Sequence, residues 1–390
     1  MKQVRQGRSV RLLAHLYAMQ KASREMSGGI LHYAAVHPDV DVQLYGEGTP
    51  RSRLADFRAW HPDGLIVGTG GRATVRAAVA LGCRAAVFVN AVPPDVGVAL
   101  RHASIYCDNH AVAETAAKLF AKKRIGNFAF VGAIAGDEWS RERAQSFHNA
   151  AKAAGGTCAV FESPSDAKSD QRRELAALGE FLRSLPKPCG VFAANDARAK
   201  DVLDAARESG IAIPEQIMVL GVDDEEFICR QTIPTLSSIV PDFERGGYLA
   251  AEMLVKLVRG RKSQLPNRTF GVKGVVERTS TSDPNGAGRM VSRAREFIRD
   301  YATTQLSVMN VARASGASLR LLQKNFKAIT GKTIVEAIQS ERLEHVCRLL
   351  RETSTPISQV GELCGFESEN YLKKLFRSRF GCTMREWRRH

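Results

Sequence analysis

The sequence contains no Cys-x-x-Cys pair. Its eight cysteines, Cys83, Cys107, Cys158, Cys189, Cys229, Cys347, Cys364 and Cys382, are scattered, and none stands at ligand spacing from a histidine. This pattern argues against a zinc site and against a disulfide framework. Dispersed cysteines read as small buried apolar residues of a reducing compartment. No apolar run approaches the length of a membrane span. The N-terminal MKQVRQGRSVRLLAHL is interrupted by Arg5, Arg8 and Arg11, so no secretory leader and no membrane partner are expected, and the expected location is cytoplasmic. The GTGG at 68–71 follows an apolar run but lacks both G-x-x-x-x-G-K-[ST] and G-x-G-x-x-G, and reads as a turn. H-E-x-x-H, a Ser-His-Asp spacing and a Cys-His pair are all missing. The adjacent Asp223 and Asp224 close one strand and point different ways, which does not suit acid–base chemistry. No catalytic residue, no metal and no cofactor is expected.

What the chain does have is positive charge and a repeat. Its 390 residues carry a net charge of +15, with ordinary hydrophobic (44%) and charged (25%) fractions, so the excess is basic without being disordered. From Asp283 onward there are 19 Lys/Arg against 11 Asp/Glu, so about half the excess lies in little more than a quarter of the chain. That density suits a polyanion, although solubility alone also favours a basic surface.

The same region writes one pattern twice. Residues 308–333 read VMNVARASGASLRLLQKNFKAITGKT, and residues 357–383 read ISQVGELCGFESENYLKKLFRSRFGCT. Val311 matches Val360, Gly316 matches Gly365, Leu322 matches Leu372, Phe326 matches Phe376, Gly331 matches Gly381 and Thr333 matches Thr383. Each copy is a short amphipathic helix, a Gly turn and a second helix rich in Lys, Arg, Gln and Asn. That is a helix-turn-helix, whose second helix enters a major groove. Between the copies, residues 333–352 form an amphipathic helix of roughly 30 Å, close to the ~34 Å turn of DNA that separates two reading heads on one face. The first recognition helix offers Arg320, Gln323, Lys324 and Lys327. The second offers Glu369, Asn370, Lys373, Lys374 and Arg377. Arg and Lys pair with guanine, and Gln or Asn with adenine. The expected partner is a double-stranded DNA operator. Two helical hairpins with solvated charged faces are the plainer alternative.

Residues 9–276 alternate short apolar strands with amphipathic helices, which predicts an α/β fold of parallel sheets in two subdomains. Ligands of such folds gather at the carboxyl ends of strands. There the chain places Asp108, Trp139, Arg143, Asn195, Asp196 and Asp223. Planar polar groups converging beside an aromatic ring suit a sugar. Asp and Asn in such places also cap the next helix, and the sequence leaves both readings open. The Ser/Thr/Gly/Pro-rich TSTSDPNGAG after residue 278 reads as a linker. The expected domains are therefore 1–278 for ligand sensing, 279–288 for the linker and 289–390 for DNA binding, all-α with two helix-turn-helix motifs.

The C-terminal copies resemble the AraC/XylS family, most closely through PISQVGELCGFESENYLKKLFRSRFGCTMREWRR. The resemblance implies base-reading roles for Arg320, Gln323 and Lys324 and for Glu369, Asn370 and Lys374. The N-terminal region resembles the LacI/GalR effector domain, which is similar to periplasmic binding proteins, through CGVFAANDARAKDVLDAARESGIAIPEQIMVLGVDDEE and TLSSIVPDFERGGYLAAEML. That family implies two lobes with three crossovers, here near Asp108, Pro241 and Phe270. It also implies Arg143, Asn195 and Asp223 as effector ligands, with Trp139 stacking. The domain order resembles the XylR-type regulators. This implies a transcription regulator controlled by a small-molecule effector, with a pentose such as xylose expected. It further implies a homodimer and an activator of sugar-catabolic genes that engages RNA polymerase. A sugar-modifying enzyme coupled to DNA binding and an effector-independent architectural DNA binder are the alternatives.

Overall fold

The structure, a computed structural model, describes residues 9–16, 20–45, 57–68, 72–94, 100–134, 137–163, 170–260, 262–283 and 286–388. Arg5, Arg8 and residues 69–71 of the GTGG stretch lie outside them. The chain divides into two compact units, Met1–Val276 and Glu277–His390.

The first unit holds two six-stranded sheets. One contains β1 (Val10–His15), β2 (Val40–Tyr45), β3 (Gly64–Val67), β4 (Ala85–Val89), β5 (Arg101–Cys107) and β11 (Arg268–Phe270). The other contains β6 (Asn127–Val131), β7 (Thr157–Phe161), β8 (Cys189–Ala193), β9 (Ile217–Val222), β10 (Ser237–Pro241) and β12 (Val272–Val276). Their orders are β11-β5-β4-β3-β1-β2 and β12-β10-β9-β8-β6-β7, so one winding is used twice. The first sheet is parallel throughout, and in the second only β12 runs antiparallel, against β10. β3, β4, β8 and β9 are buried along their whole length. Helices cover both faces of a parallel sheet, so such strands become unbroken apolar runs such as AAVFV and IMVLGV. The helices are α1 (Lys21–Val36), α2 (Arg72–Ala80), α3 (Asn109–Lys122), α4 (Glu138–Ala153), α5 (Gln171–Ser184), α6 (Asp196–Glu208), α7 (Glu226–Gln231) and α8 (Phe243–Arg259).

The chain crosses between lobes after β5 at Asp108, after β10 at Pro241, and between β11 and β12 at Gly271. These are the three places expected. β11 and β12 themselves are too short and too weakly patterned to stand out in the sequence. In the first lobe α1 and α8 pack backbone to backbone. A Cβ at Gly29 would sit 1.9 Å from Glu244 O, and one at Gly247 would sit 1.9 Å from Met26 O, so only glycine fits at either place.

The second unit is helical: α9 (Gly286–Tyr301), α10 (Val308–Ser315), α11 (Leu319–Thr330), α12 (Ile334–Glu352), α13 (Ile357–Leu363), α14 (Glu369–Phe380) and α15 (Met384–Trp387). The repeat extends to its punctuation. Ser318 and Ser368 cap α11 and α14, and Gly331 and Gly381 end them in the left-handed conformation. Thr333 and Thr383 then open the next helices with capping boxes to Glu336 and Glu386. Residues 279–288, read from composition as a linker, contain a 3-10 turn at Thr279–Thr281 with Ser280, Thr281 and Ser282 buried, and α9 already starts at Gly286. Their hydroxyls serve the turn: Ser282 Oγ donates to Thr279 O, and Thr279 Oγ1 donates to Glu296. Composition alone cannot separate such a turn from a spacer.

The cysteines are free, and all but Cys158 and Cys382 are buried. Burial pushes the Cys83 and Cys189 thiols up to about 12, so neither is a thiolate at neutral pH.

Candidate effector cleft and nucleic-acid interface

The carboxyl ends of β6, β8 and β9 bring together Trp139, Arg143 and Asp223. Arg143 projects from the second turn of α4 and is buried. Its Nε donates to Asn109 Oδ1 at 3.1 Å, and its Nη1 donates to Ala194 O at the end of β8. Its guanidinium carbon lies 5.1 Å from the centre of the Trp139 ring. Asp223 adopts φ 104° and Asp224 φ 50°, a left-handed pair that side-chain-bearing residues seldom adopt. Burial pushes the Asp223 carboxyl up to about 6, against the pull of Arg143.

Asp196, which the sequence places among the ligand groups, is turned into the lobe instead. It is 1% exposed. Its Oδ1 accepts from Ser238 Oγ at 2.6 Å, and its Oδ2 accepts from Glu225 N at 2.7 Å and Cys229 Sγ at 3.4 Å. Burial holds this carboxyl well above the usual carboxylate range. Asp196 thus braces the turn after β9 from behind, which keeps Asp223 in its strained conformation. Asp108 and Asn195 each use one side-chain oxygen as a helix cap, accepting from Ala111 N and Arg198 N, both at 2.9 Å. Of the six residues singled out, three converge, two cap helices beside them and one supports from behind.

Sequence reading missed the groups that join the lobes. Lys21 Nζ, at the start of α1, lies 2.6 Å from Asp224 Oδ2, while Lys21 N donates to Glu225 Oε2 at 2.6 Å. Arg24 adds a contact of 3.5 Å to Glu225. Burial disfavours the Lys21 ammonium, yet Asp224 holds its pKa above the ordinary value. Asn109, which follows Asp108 at the same strand end, is the partner of Arg143, a pairing the sequence does not announce. A separate groove of about 530 Å³ near Tyr33, His37, Tyr248 and Glu252 lies at the far ends of α1 and α8 from these strand ends, and its Glu252, Lys256 and Arg259 are engaged in ion pairs with one another or with Asp39 and Arg268.

In the second unit Leu322 and Phe326 of α11 and Leu372 and Phe376 of α14 are fully buried. This leaves Arg320, Gln323, Lys324 and Lys327 exposed on α11, and Glu369, Asn370, Lys373, Lys374 and Arg377 exposed on α14. Glu369 pairs with Lys373 at 2.8 Å, so the acid on this face has a cation one turn away. Two leucines at the start of α11, Leu319 and Leu321, lie in different surroundings. Leu319 packs against the first core, whereas Leu321 is 50% exposed, and so is its counterpart Tyr371 at 47%.

A two-lobed ligand-binding fold with a pair of helix-turn-helix motifs defines an effector-controlled, DNA-binding transcription regulator. Comparison with known proteins gives the same class. A periplasmic binding protein-like domain family matches residues 117–281, and a helix-turn-helix domain family matches residues 311–390. The xylose operon regulatory protein of Escherichia coli K12 is 30% identical over 286 residues, 73% of each chain. Its namesake from Haemophilus influenzae is 31% identical over 291 residues, 73% of this chain and 74% of the relative. A solved structure of the xylose-binding transcription activator XylR aligns with 97% of each chain at a TM-score of 0.59 and 25% identity. The chain belongs to the XylR-type family of transcription regulators, with a periplasmic-binding-protein-like domain ahead of an AraC-type DNA-binding domain.

Proposed function

We propose that the effector is a sugar, of the pentose class represented by xylose, bound between the lobes of the first unit. The observation that carries this reading is the Trp139–Arg143–Asp223 cluster beside the Lys21–Asp224 bridge between lobes. A carboxylate and a guanidinium exchange hydrogen bonds with vicinal hydroxyls, and an indole face covers the apolar face of the ring. Asn109, Asp108 and Asn195 complete the polar wall. The relatives' names point to the same ligand class. Sugar binding favours the bridged arrangement of the lobes. It controls transcription to the extent that the bridged and unbridged forms differ in DNA affinity.

Residues 1–278 form the sensing part and 289–390 the DNA-binding part, with 279–288 between them. The protein acts in the cytoplasm as a homodimer and an activator that engages RNA polymerase, and it binds its sugar without turning it over. Among the described residues no helix is long and apolar enough to cross a membrane. Arg320, Gln323, Lys324, Glu369, Asn370 and Lys374 face the bases.

The test is thermal denaturation of the full chain against a panel of aldoses. A ligand at a hundred times its Kd adds about 2.7 kcal/mol to the state it binds, so a saturable rise in Tm with a pentose is expected. A flat response to every sugar would remove the sugar reading and leave DNA binding in place. On the DNA side, Arg320→Ala and Lys374→Ala should each weaken specific binding by about 1–3 kcal/mol and leave random DNA less affected. Equal loss on specific and random DNA would assign these residues to phosphates instead.

A further inference from the structure

The two helix-turn-helix motifs have separate cores but share one helix. Ile334 and Ile338 of α12 belong to the first core, and Leu343, Val346, Cys347 and Leu350 belong to the second. Arg342 stands at the changeover. Its Nε donates to Ala302 O at 2.6 Å and its Nη2 to Thr304 O at 2.9 Å, two carbonyls of the segment that leads from α9 into the first motif. The same guanidinium lies 5.7 Å from the centre of the Phe366 ring, in the turn of the second motif. That turn presses on the same segment: a Cβ at Gly365 would come within 2.7 Å of Thr303 O. One planar cation therefore ties the entry of the first motif, the shared helix and the turn of the second. A guanidinium donates from a rigid plane whose flat face can rest on an aromatic ring, a geometry that the compact ammonium of lysine does not reproduce. A second tie, between Gln339 of α12 and the Tyr371 hydroxyl of α14, links the shared helix to the second recognition helix.

From this geometry we infer that Arg342 is the positioning residue that sets the spacing and angle between the two recognition helices, so that both DNA segments are read as one unit. It touches no base. It acts by holding α11 and α14 in advance at the separation the paired segments require, which converts the second contact into an intramolecular one.

The experiment uses the full chain and a DNA site selected by the wild type from a random pool. Variants of that site carry either segment scrambled, or one base pair inserted between the segments. Arg342→Ala is expected to lose about tenfold on the intact two-segment site, to bind the single-segment sites like wild type, and to tolerate the insertion better than wild type. Arg342→Lys should show the same pattern more weakly, and it carries the test if the Ala variant does not fold. Equal loss on every DNA with unchanged sensitivity to spacing would overturn the inference and leave a merely structural role. Wild-type affinity of both variants on the intact site would also overturn it.

Discussion

Phe376→Ala is expected to abolish operator binding by the full chain at 37 °C while leaving the first unit folded. Phe376 is fully buried in the second motif, with the Phe380 ring 4.6 Å and the Trp387 ring 5.8 Å from it, centre to centre. Removing a buried Phe costs about 3–5 kcal/mol through lost contacts and the cavity left behind. A domain of this size has only about 5–15 kcal/mol in total. The cores of the first unit are made of different residues. Calorimetry should therefore show one transition moved to lower temperature and another retained, and the retained one should still respond to sugar. Unchanged operator affinity in Phe376→Ala would contradict the assignment of α14 as a recognition helix. Phe326→Ala should act in the same way through the first motif, where Phe326 is 1% exposed.

Asp223→Ala should abolish the response to sugar, with affinity down by about 100-fold on the scale of lost hydrogen bonds to a charged group, while operator binding without sugar persists. The same residue makes a prediction about pH. Burial pushes its carboxyl up to about 6 from an ordinary value near 3.8. Between those values the folded chain holds a proton that the unfolded chain has released, so the stability this group contributes falls as pH rises through that window. Sugar binding that requires the carboxylate has the opposite sign. Its affinity should fall about tenfold for each pH unit below 6, by the linkage of one proton. Asp223→Asn should flatten that slope. A wild-type affinity independent of pH between 5 and 7 would show that the carboxylate does not take part. Asp196→Asn should behave differently, weakening the turn after β9 and lowering Tm, because both of its oxygens are engaged inside the lobe.

Asp196 and Asp223 look alike in the sequence and play different parts in the fold. Both are acidic residues just past an apolar strand, and the pattern treats them alike. Only the packing of the turn after β9 against the start of α6 decides that one carboxyl braces and the other faces the cleft. The helix-turn-helix pair was legible because its information is local. Val311, Leu322 and Phe326 recur as Val360, Leu372 and Phe376 at helical spacing, and Gly and Thr mark the ends of the same helices in both copies. The alternation of strands and helices was legible for the same reason, whereas the three crossovers were implied only by the resemblance to the LacI/GalR effector domain. The bridge from Lys21 to Asp224 spans 203 positions and no periodicity announces it. Arg342 reads in the sequence as one more solvated arginine on an amphipathic helix. Its partners belong to two other segments that only the folded unit assembles.

A sugar bound in the first unit is expected to change the affinity of the second unit for DNA. The most direct test is fluorescence anisotropy of a selected operator with the full chain, titrated with D-xylose and other aldoses, for wild type and Asp223→Ala. Allosteric couplings of about 1–3 kcal/mol correspond to 5–150-fold. A saturable change in operator affinity of at least about fivefold is expected with a pentose in the wild type, and none in Asp223→Ala. Operator affinity that ignores every sugar at saturation, or that shifts equally in Asp223→Ala, would contradict it.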